Sequence, residues 1–253
     1  MLKEARLDRI LDLLSERGEV TVAELNAALL VSEATIRRDL DQLSQMGRVR
    51  RSHGGAVRVL DADREPPLVL REMERREEKQ RIGRVAARMV DAGDRVFLGS
   101  GTTVEAMAEH LAGIGQLTVI TNSLPVVNRL ADDAAIDLIV IGGVFRHTER
   151  SMISQVAERT IAEFRVDTVY MGVRAIDAVH GLTADSVAEA STDRAIIDIA
   201  RRRVILADHT KFQRVSTVSL APLGVVDVIV TDKLDEELTN LISELGPQVV
   251  VAD

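Results

Sequence analysis

A small basic helical unit followed by a larger α/β unit built on a parallel sheet is the architecture this sequence predicts. Three observations carry it. The first 58 residues place helix-capping signals between amphipathic runs and end in a cluster of arginines. A polar stretch containing Pro66-Pro67 then breaks the pattern. From about residue 94 onward, short and almost wholly apolar runs alternate with amphipathic segments. At 253 residues the chain is long enough for two unequal domains. The expected division is 1–60 for the first unit, 61–72 for a linker and 73–253 for the second.

Composition narrows the classes. An apolar fraction of 46% and a charged fraction of 28% are ordinary for a soluble globular protein. The lack of cysteine excludes disulfides and thiolate metal sites and fits a reducing cytoplasm; no cofactor is expected. No run approaches the roughly 18 apolar residues of a membrane span, so no membrane partner is expected. The opening MLKEARLDRILDLLSERG is charged throughout, unlike a signal peptide. Aromatics at 2% argue against a base-stacking surface for single strands. The net charge of −8 is unevenly spread: residues 32–58 balance at +3, whereas 59–253 carry −9. A polyanionic partner would therefore be met by the N-terminal part alone.

Leu7, Ile10, Leu11 and Leu14 fall at helical spacing, and Gly18 ends that helix. Thr21 to Glu24, reading TVAE, has the form of a capping box opening a short helix through Leu25 and Ala28. Ser32 is a good N-cap for a third helix to about Met46, closed by Gly47, with Ala34, Ile36, Leu40 and Leu43 available for packing. RVRRSHGGAVRVL then reads as two short strands around His53-Gly54-Gly55. Three helices and a basic hairpin make a winged helix-turn-helix. Glu33, Thr35, Arg37 and Arg38 lie where a recognition helix reaches base edges. Arg48, Arg50 and Arg51 follow, placed for phosphates or a minor groove. The competing reading, a solvated helix whose arginines pair with Asp39 and Asp41, explains the charges alone but not the full order of elements.

The stretches RLDRILDLLSERGEVTVAEL and VSEATIRRDL followed by RSHGGA resemble the N-terminal module of DeoR-type bacterial transcription regulators. The resemblance places Ser32, Thr35, Arg37 and Arg38 on the recognition helix and the wing at 50–57. The candidate DNA contacts are thus Thr21, Ser32, Glu33, Thr35, Arg37, Arg38, Arg48, Arg50, Arg51, Ser52, His53 and Gly54. The expected partner is a double-stranded operator.

Beyond the junction, a strongly charged helix is expected from about Leu70 toward Val90, with 71–81 read as a solvated face rich in ion pairs. Apolar strands (RVFLGSG, LTVIT, IDLIVIGG, DTVYMGV, RVILAD, VVDVIVTD, QVVVAD) separated by helices indicate a parallel sheet covered on both faces. Ligands in such sheets bind at the carboxyl ends of the strands. There the sequence places GSGTT (99–103), TNS (121–123), Gly142-Gly143 and ADHTK (207–211). Small donors and one lysine suit a phosphorylated polyol or sugar better than a flat base.

LGSGTT, VITNSLPVV, VIGGVFR, MGVRAID and LADHTKF are similar, in order, to the DeoR-type sensor domain. That resemblance implies a fold like ribose-5-phosphate isomerase and a phosphorylated effector. By motif, the effector residues are Ser100, Gly101, Thr102, Thr103, Asn122, Ser123, Gly143 and Lys211. Four positions depart from the family's pattern. Gly99 stands where aspartate is often found, Arg174 in the turn before Ile176-Asp177, Asp193 where a lysine is often found, and Ser154 where glycine is common. Arg174 is added to the set as a cation that could offset Asp193.

The reading is a DNA-binding repressor of carbohydrate-metabolism genes, expected to act as a dimer or tetramer on repeated half-sites. The alternative is a sugar-phosphate isomerase with an accessory DNA module, for which Glu189 and Asp177 are the candidate bases. A metal sensor finds no ligand spacing among His53, His110, His147, His180 and His209.

Overall fold

The computed structural model describes residues 3–45, 49–52, 54–58 and 68–253. It divides into two compact units, Met1–Leu70 and Arg71–Asp253.

In the first unit, α1 (Lys3–Arg17) ends where Gly18, at φ +76°, donates its N–H to the Leu14 carbonyl. β1 (Glu19–Thr21) leads directly into α2 (Val22–Leu29), and Leu30 in a left-handed conformation turns the chain toward α3 (Glu33–Gln45). β2 (Val49–Ser52) and β3 (Gly55–Arg58) form the expected hairpin. The hairpin has a third strand that periodicity did not predict: β1 pairs antiparallel with β3, giving the order β1-β3-β2. Three residues are too few to show alternation, and Thr21 belongs both to the strand and to the capping box of α2. Gly55 makes the pairing possible, since a Cβ there would lie 2.1 Å from the Val20 carbonyl oxygen. Ile10, Leu14, Leu25, Ile36, Leu40 and Leu43 form the core, as the helical stripes anticipated, and Val20 of β1 and Val49 of β2 join them. Ala34 is a correction: it is exposed and stands outside that core.

α4 (Leu68–Arg71), a single turn, runs across the division, and α5 (Arg76–Ala87) follows in the second unit. One continuous helix was expected here. Arg75 at φ +52° interrupts it, and the Lys79 ammonium caps the break by donating to the carbonyls of Arg71 (2.5 Å) and Glu74 (2.7 Å). The expected solvated face is also partly buried, with Arg71 and Lys79 both in the interior.

Then follow β4 (Arg95–Leu98), α6 (Thr102–Ala108), β5 (Leu117–Thr121), α7 (Leu124–Leu130) and β6 (Ile136–Val140). An unforeseen hairpin comes next, β7 (Val144–Arg146) with β8 (Ser151–Ile153), and then α8 (Gln155–Ala162) and β9 (Val166–Gly172). β10 (Ala175–Asp177) and β11 (Gly181–Ala184) precede α9 (Val187–Asp198) and β12 (Ala200–Leu206). β13 (Val218–Ala221), β14 (Val228–Thr231), α10 (Glu236–Glu244) and β15 (Gln248–Val251) complete the chain. Seven strands form the parallel sheet in the order β15-β14-β12-β9-β4-β5-β6, and β10-β11-β13 make a small antiparallel sheet beside it. Alternate residues feed opposite faces, as the pleat requires: Phe97, Val169, Ile205 and Ile229 on one, Val96, Leu98, Tyr170 and Val204 on the other.

α5 and α6 approach backbone to backbone at Gly83, where a Cβ would sit 2.6 Å from the Met107 nitrogen and 2.7 Å from the Ala106 carbonyl carbon. Neither neighbour can rotate away. Gly83→Ala is expected to cost about 2–3 kcal/mol by overpacking, read as a drop in the melting midpoint of the second unit.

Candidate functional site

The candidate DNA-contact residues are positioned by local bonds. Thr21 Oγ1 accepts from Glu24 N–H (3.2 Å), and Glu24 accepts from Thr21 N–H (2.7 Å), completing the capping box. Ser32 precedes α3, accepting from Thr35 N–H (3.3 Å) and sharing a hydroxyl bond with Thr35 (2.9 Å). Glu33 and Arg37 pair one turn apart at 3.1 Å on the exposed face, and Arg38 is exposed beside them. Asp39 and Asp41, the partners required by the solvated-helix reading, are engaged elsewhere. Asp39 is buried and takes both a 2.5 Å and a 3.1 Å bond from Arg6 of α1, while Asp41 pairs with Arg51 at 3.2 Å. Arg38 makes no ion pair among the described residues. Arg51 also donates to the Gly55 carbonyl (3.2 Å) across the wing, Arg50 and Ser52 lie in β2, and Gly54 forms the exposed tip at φ +96°. Arg48 and His53 lie outside the described residues.

In the second unit, parallel pairing brings every predicted strand end to one edge. The sheet changes direction at β4: β5 and β6 lie on one side, β9 and the later strands on the other. Carboxyl ends at such a switch point form the binding crevice of open α/β sheets. Ser100 and Gly101 follow β4, and Gly172 at the end of β9 approaches so closely that a Cβ would stand 3.3 Å from the Ser100 carbonyl. Thr102 and Thr103 are buried in the first turn of α6. Gly99 is steric, since a Cβ there would meet Met171 Cβ at 3.1 Å.

Asn122 and Ser123 follow β5, both buried, and the Asn122 amide donates to the Met152 carbonyl (2.9 Å). Gly143 runs close to β8, where a Cβ would be 2.8 Å from the Ile153 carbonyl oxygen. Lys211 sits in a short 3-10 turn after β12, with Asp208 accepting from the Thr210 N–H (3.0 Å). Arg174 donates to Asp185 (2.9 Å), and the Asp193 charge acts on Arg146.

Sequence reasoning missed Lys79. It lies with Ile82, Gly83 and Ala86 on one buried stripe, and a lysine on an apolar stripe was the available signal. Burial lowers its pKa to about 8, against the attraction of Asp208; Arg71 and Lys211 lower it further. A run of pairs extends from there: Arg71 with Glu149, then Arg146 with Glu149 (3.8 Å) and with Glu189 (3.0 Å). The two candidate bases of the isomerase reading are thereby committed. Glu189 is held by Arg146, and Asp177 accepts from the backbone of Val179 (3.0 Å) and His180 (2.9 Å). His209 is likewise tied, its Nδ1 2.7 Å from Asp232.

Residues 6–61 match the DeoR-like helix-turn-helix domain, and residues 74–233 match the DeoR C terminal sensor domain. Among curated relatives, the transcriptional repressor AccR of Agrobacterium fabrum is 36% identical over 98% of this chain and 97% of its own. The glycerol-3-phosphate regulon repressor of Haemophilus influenzae and the repressor GlcR of Bacillus subtilis are each 32% identical, over 100% of this chain and 98% of theirs. Ribose 5-phosphate isomerase A of Methanocaldococcus jannaschii superposes on 54% of each chain with a TM-score of 0.40 and 16% identity, too loosely to bear on chemistry. A DNA-reading module joined to this sensor domain defines a transcriptional regulator, not an enzyme. The chain belongs to the DeoR family.

Proposed function

We propose that this protein represses genes of carbohydrate metabolism and that a phosphorylated sugar or polyol, bound at the carboxyl edge of the parallel sheet, alters its hold on DNA. The observation that carries the reading is the buried Lys79 ammonium at that edge, close enough to Asp208 and Lys211 for their charges to act on it. Two of its three donors go to backbone carbonyls, leaving one for a ligand oxygen. The effector set comprises Ser100, Gly101, Thr102, Thr103, Asn122, Ser123, Gly143, Arg174 and Lys211, with Lys79 added. Names of relatives such as the glycerol-3-phosphate regulon repressor support the ligand class. We place the protein in the cytoplasm, as a dimer or tetramer pairing with repeated half-sites. Among the described residues no helix is long and apolar enough to cross a membrane.

The lowered pKa gives a signed test. A phosphate needs the ammonium form, so affinity for a phosphorylated ligand should fall as pH rises through about 8, by as much as tenfold per unit. Calorimetric titration at pH 7 and 9 measures this, and Lys79→Met should flatten the dependence. A pH-independent affinity in the parent protein would contradict the assignment. The unliganded unit should instead gain stability between about 8 and 10.5, where only the unfolded chain still holds that proton.

A further inference from the structure

The β7–β8 hairpin and the end of β5 hold polar atoms that the fold does not use. Asn122 Oδ1, Ser123 Oγ, Ser151 Oγ, Ser154 Oγ and Arg146 Nε are buried and meet no hydrogen-bond partner among the described residues. Asn122, Ser123 and Ser151 are at most 2% exposed. They come from two segments laid side by side: Ser123 bridges Ser151, Met152 N–H donates to the Asn122 carbonyl (2.8 Å), and Leu124 N–H donates to that of Arg150 (2.9 Å). Each unmade bond at a buried polar atom costs stability unless something else makes it.

Ser154 carries a second cost. Among the described residues, six non-glycine residues have positive φ, and five of them lie between +48° and +59°, the ordinary left-handed region. Ser154 alone stands at φ +132°, ψ 172°, a conformation almost restricted to glycine. It is also the N-cap of α8, yet its hydroxyl makes no cap bond, the usual structural task of a serine there. Glycine would remove both the strain and the unpaired hydroxyl.

We propose that Ser154 is a specificity-determining ligand contact. With Asn122, Ser123 and Ser151 it forms a subsite for the uncharged, hydroxylated part of a phosphorylated polyol or sugar. Asn122 Oδ1 only accepts, the serine hydroxyls donate or accept, and Arg146 Nε only donates. Ligand hydroxyls, which do both, satisfy every one of these atoms. A second anionic group would face the Asn122 lone pairs and the Glu149 and Glu189 carboxylates that offset the Arg146 charge. This inference rests on the effector reading above, and it assigns that ligand's two ends: phosphate toward Lys79, hydroxyls toward the hairpin.

The test uses the full chain and two variants, Ser154→Gly and Ser154→Ala. Each is titrated calorimetrically with glycerol 3-phosphate, ribose 5-phosphate, glucose 6-phosphate, inorganic phosphate and the hydroxyl-free butyl phosphate. The parent protein should prefer one hydroxylated phosphate over butyl phosphate about a hundredfold, on the order of two hydrogen bonds. Both variants should lose about tenfold of that preference, with butyl phosphate and inorganic phosphate unchanged. Ser154→Gly should also melt about 2–4 °C higher through relief of strain, and Ser154→Ala should not. Unchanged preference in both variants overturns the role of Ser154 while leaving the effector reading intact. Loss in Ser154→Gly alone overturns it too, because backbone freedom and not the hydroxyl would then be responsible. Failure of the parent to bind any hydroxylated phosphate overturns the effector reading itself, and this inference with it.

Discussion

Replacing Arg37 and Arg38 together by alanine is expected to lower operator affinity at least about a hundredfold while leaving the fold unchanged. Both guanidinium groups are exposed on α3, away from the stripe of Ile36, Leu40 and Leu43 that holds the helix to the core. The Glu33–Arg37 pair is a surface pair that contributes little to stability, so its removal is invisible to the fold. With α3 proposed as the recognition helix, each arginine is expected to contribute through a phosphate or a base edge, about 1–3 kcal/mol for a bidentate base interaction. The slope of log affinity against log salt should shrink by about one for each DNA phosphate that an arginine no longer neutralises. Anisotropy titrations at two salt concentrations separate the cases. A uniform weakening with a smaller slope means that the arginines bind phosphates; relaxed sequence preference means that they read bases.

Arg6→Ala should destabilise the first unit by about 3 kcal/mol, because it strands the Asp39 carboxylate in the interior. Asp39 lies on α3 and Arg6 on α1, so this pair fixes α3, the proposed recognition helix, against α1. Replacing both partners with apolar residues, as Arg6→Met with Asp39→Leu, should recover most of the stability. Thermal unfolding of the parent and both variants measures this. If Arg6→Ala melts like the parent, the pair is not holding the helix, and the positioning of the recognition surface rests on the apolar stripe alone.

The parts of the molecule that were legible in the sequence are those governed by local rules. Gly18, the Thr21–Glu24 capping box and the stripe Ile36, Leu40, Leu43 each express a short-range constraint, and each is found in the structure. The parallel strands were readable because strands buried on both faces are apolar nearly throughout. What escaped depends on distant neighbours. β1 exists because Gly55, 34 positions after Thr21, lets two backbones touch. The break between α4 and α5 follows from Lys79 seeking carbonyls in the interior, which a charged stretch read as a solvated face cannot reveal. The β7–β8 hairpin is short and only partly buried, and its strands offered no periodicity. The Arg174–Asp185 pair likewise joins the end of β9 to the start of α9 across β10 and β11, a contact that spacing does not reveal.

The central claim is that one molecule couples the arginines of α3 to a ligand at the sheet edge. Its most direct test is fluorescence anisotropy of the full chain on DNA from upstream of its own gene, at two salt concentrations, with and without a panel of sugar and polyol phosphates. The expected result is salt-sensitive, sequence-specific binding that one phosphorylated compound alters, and an alteration that Lys79→Met abolishes. Specific binding that every compound leaves unchanged would contradict it.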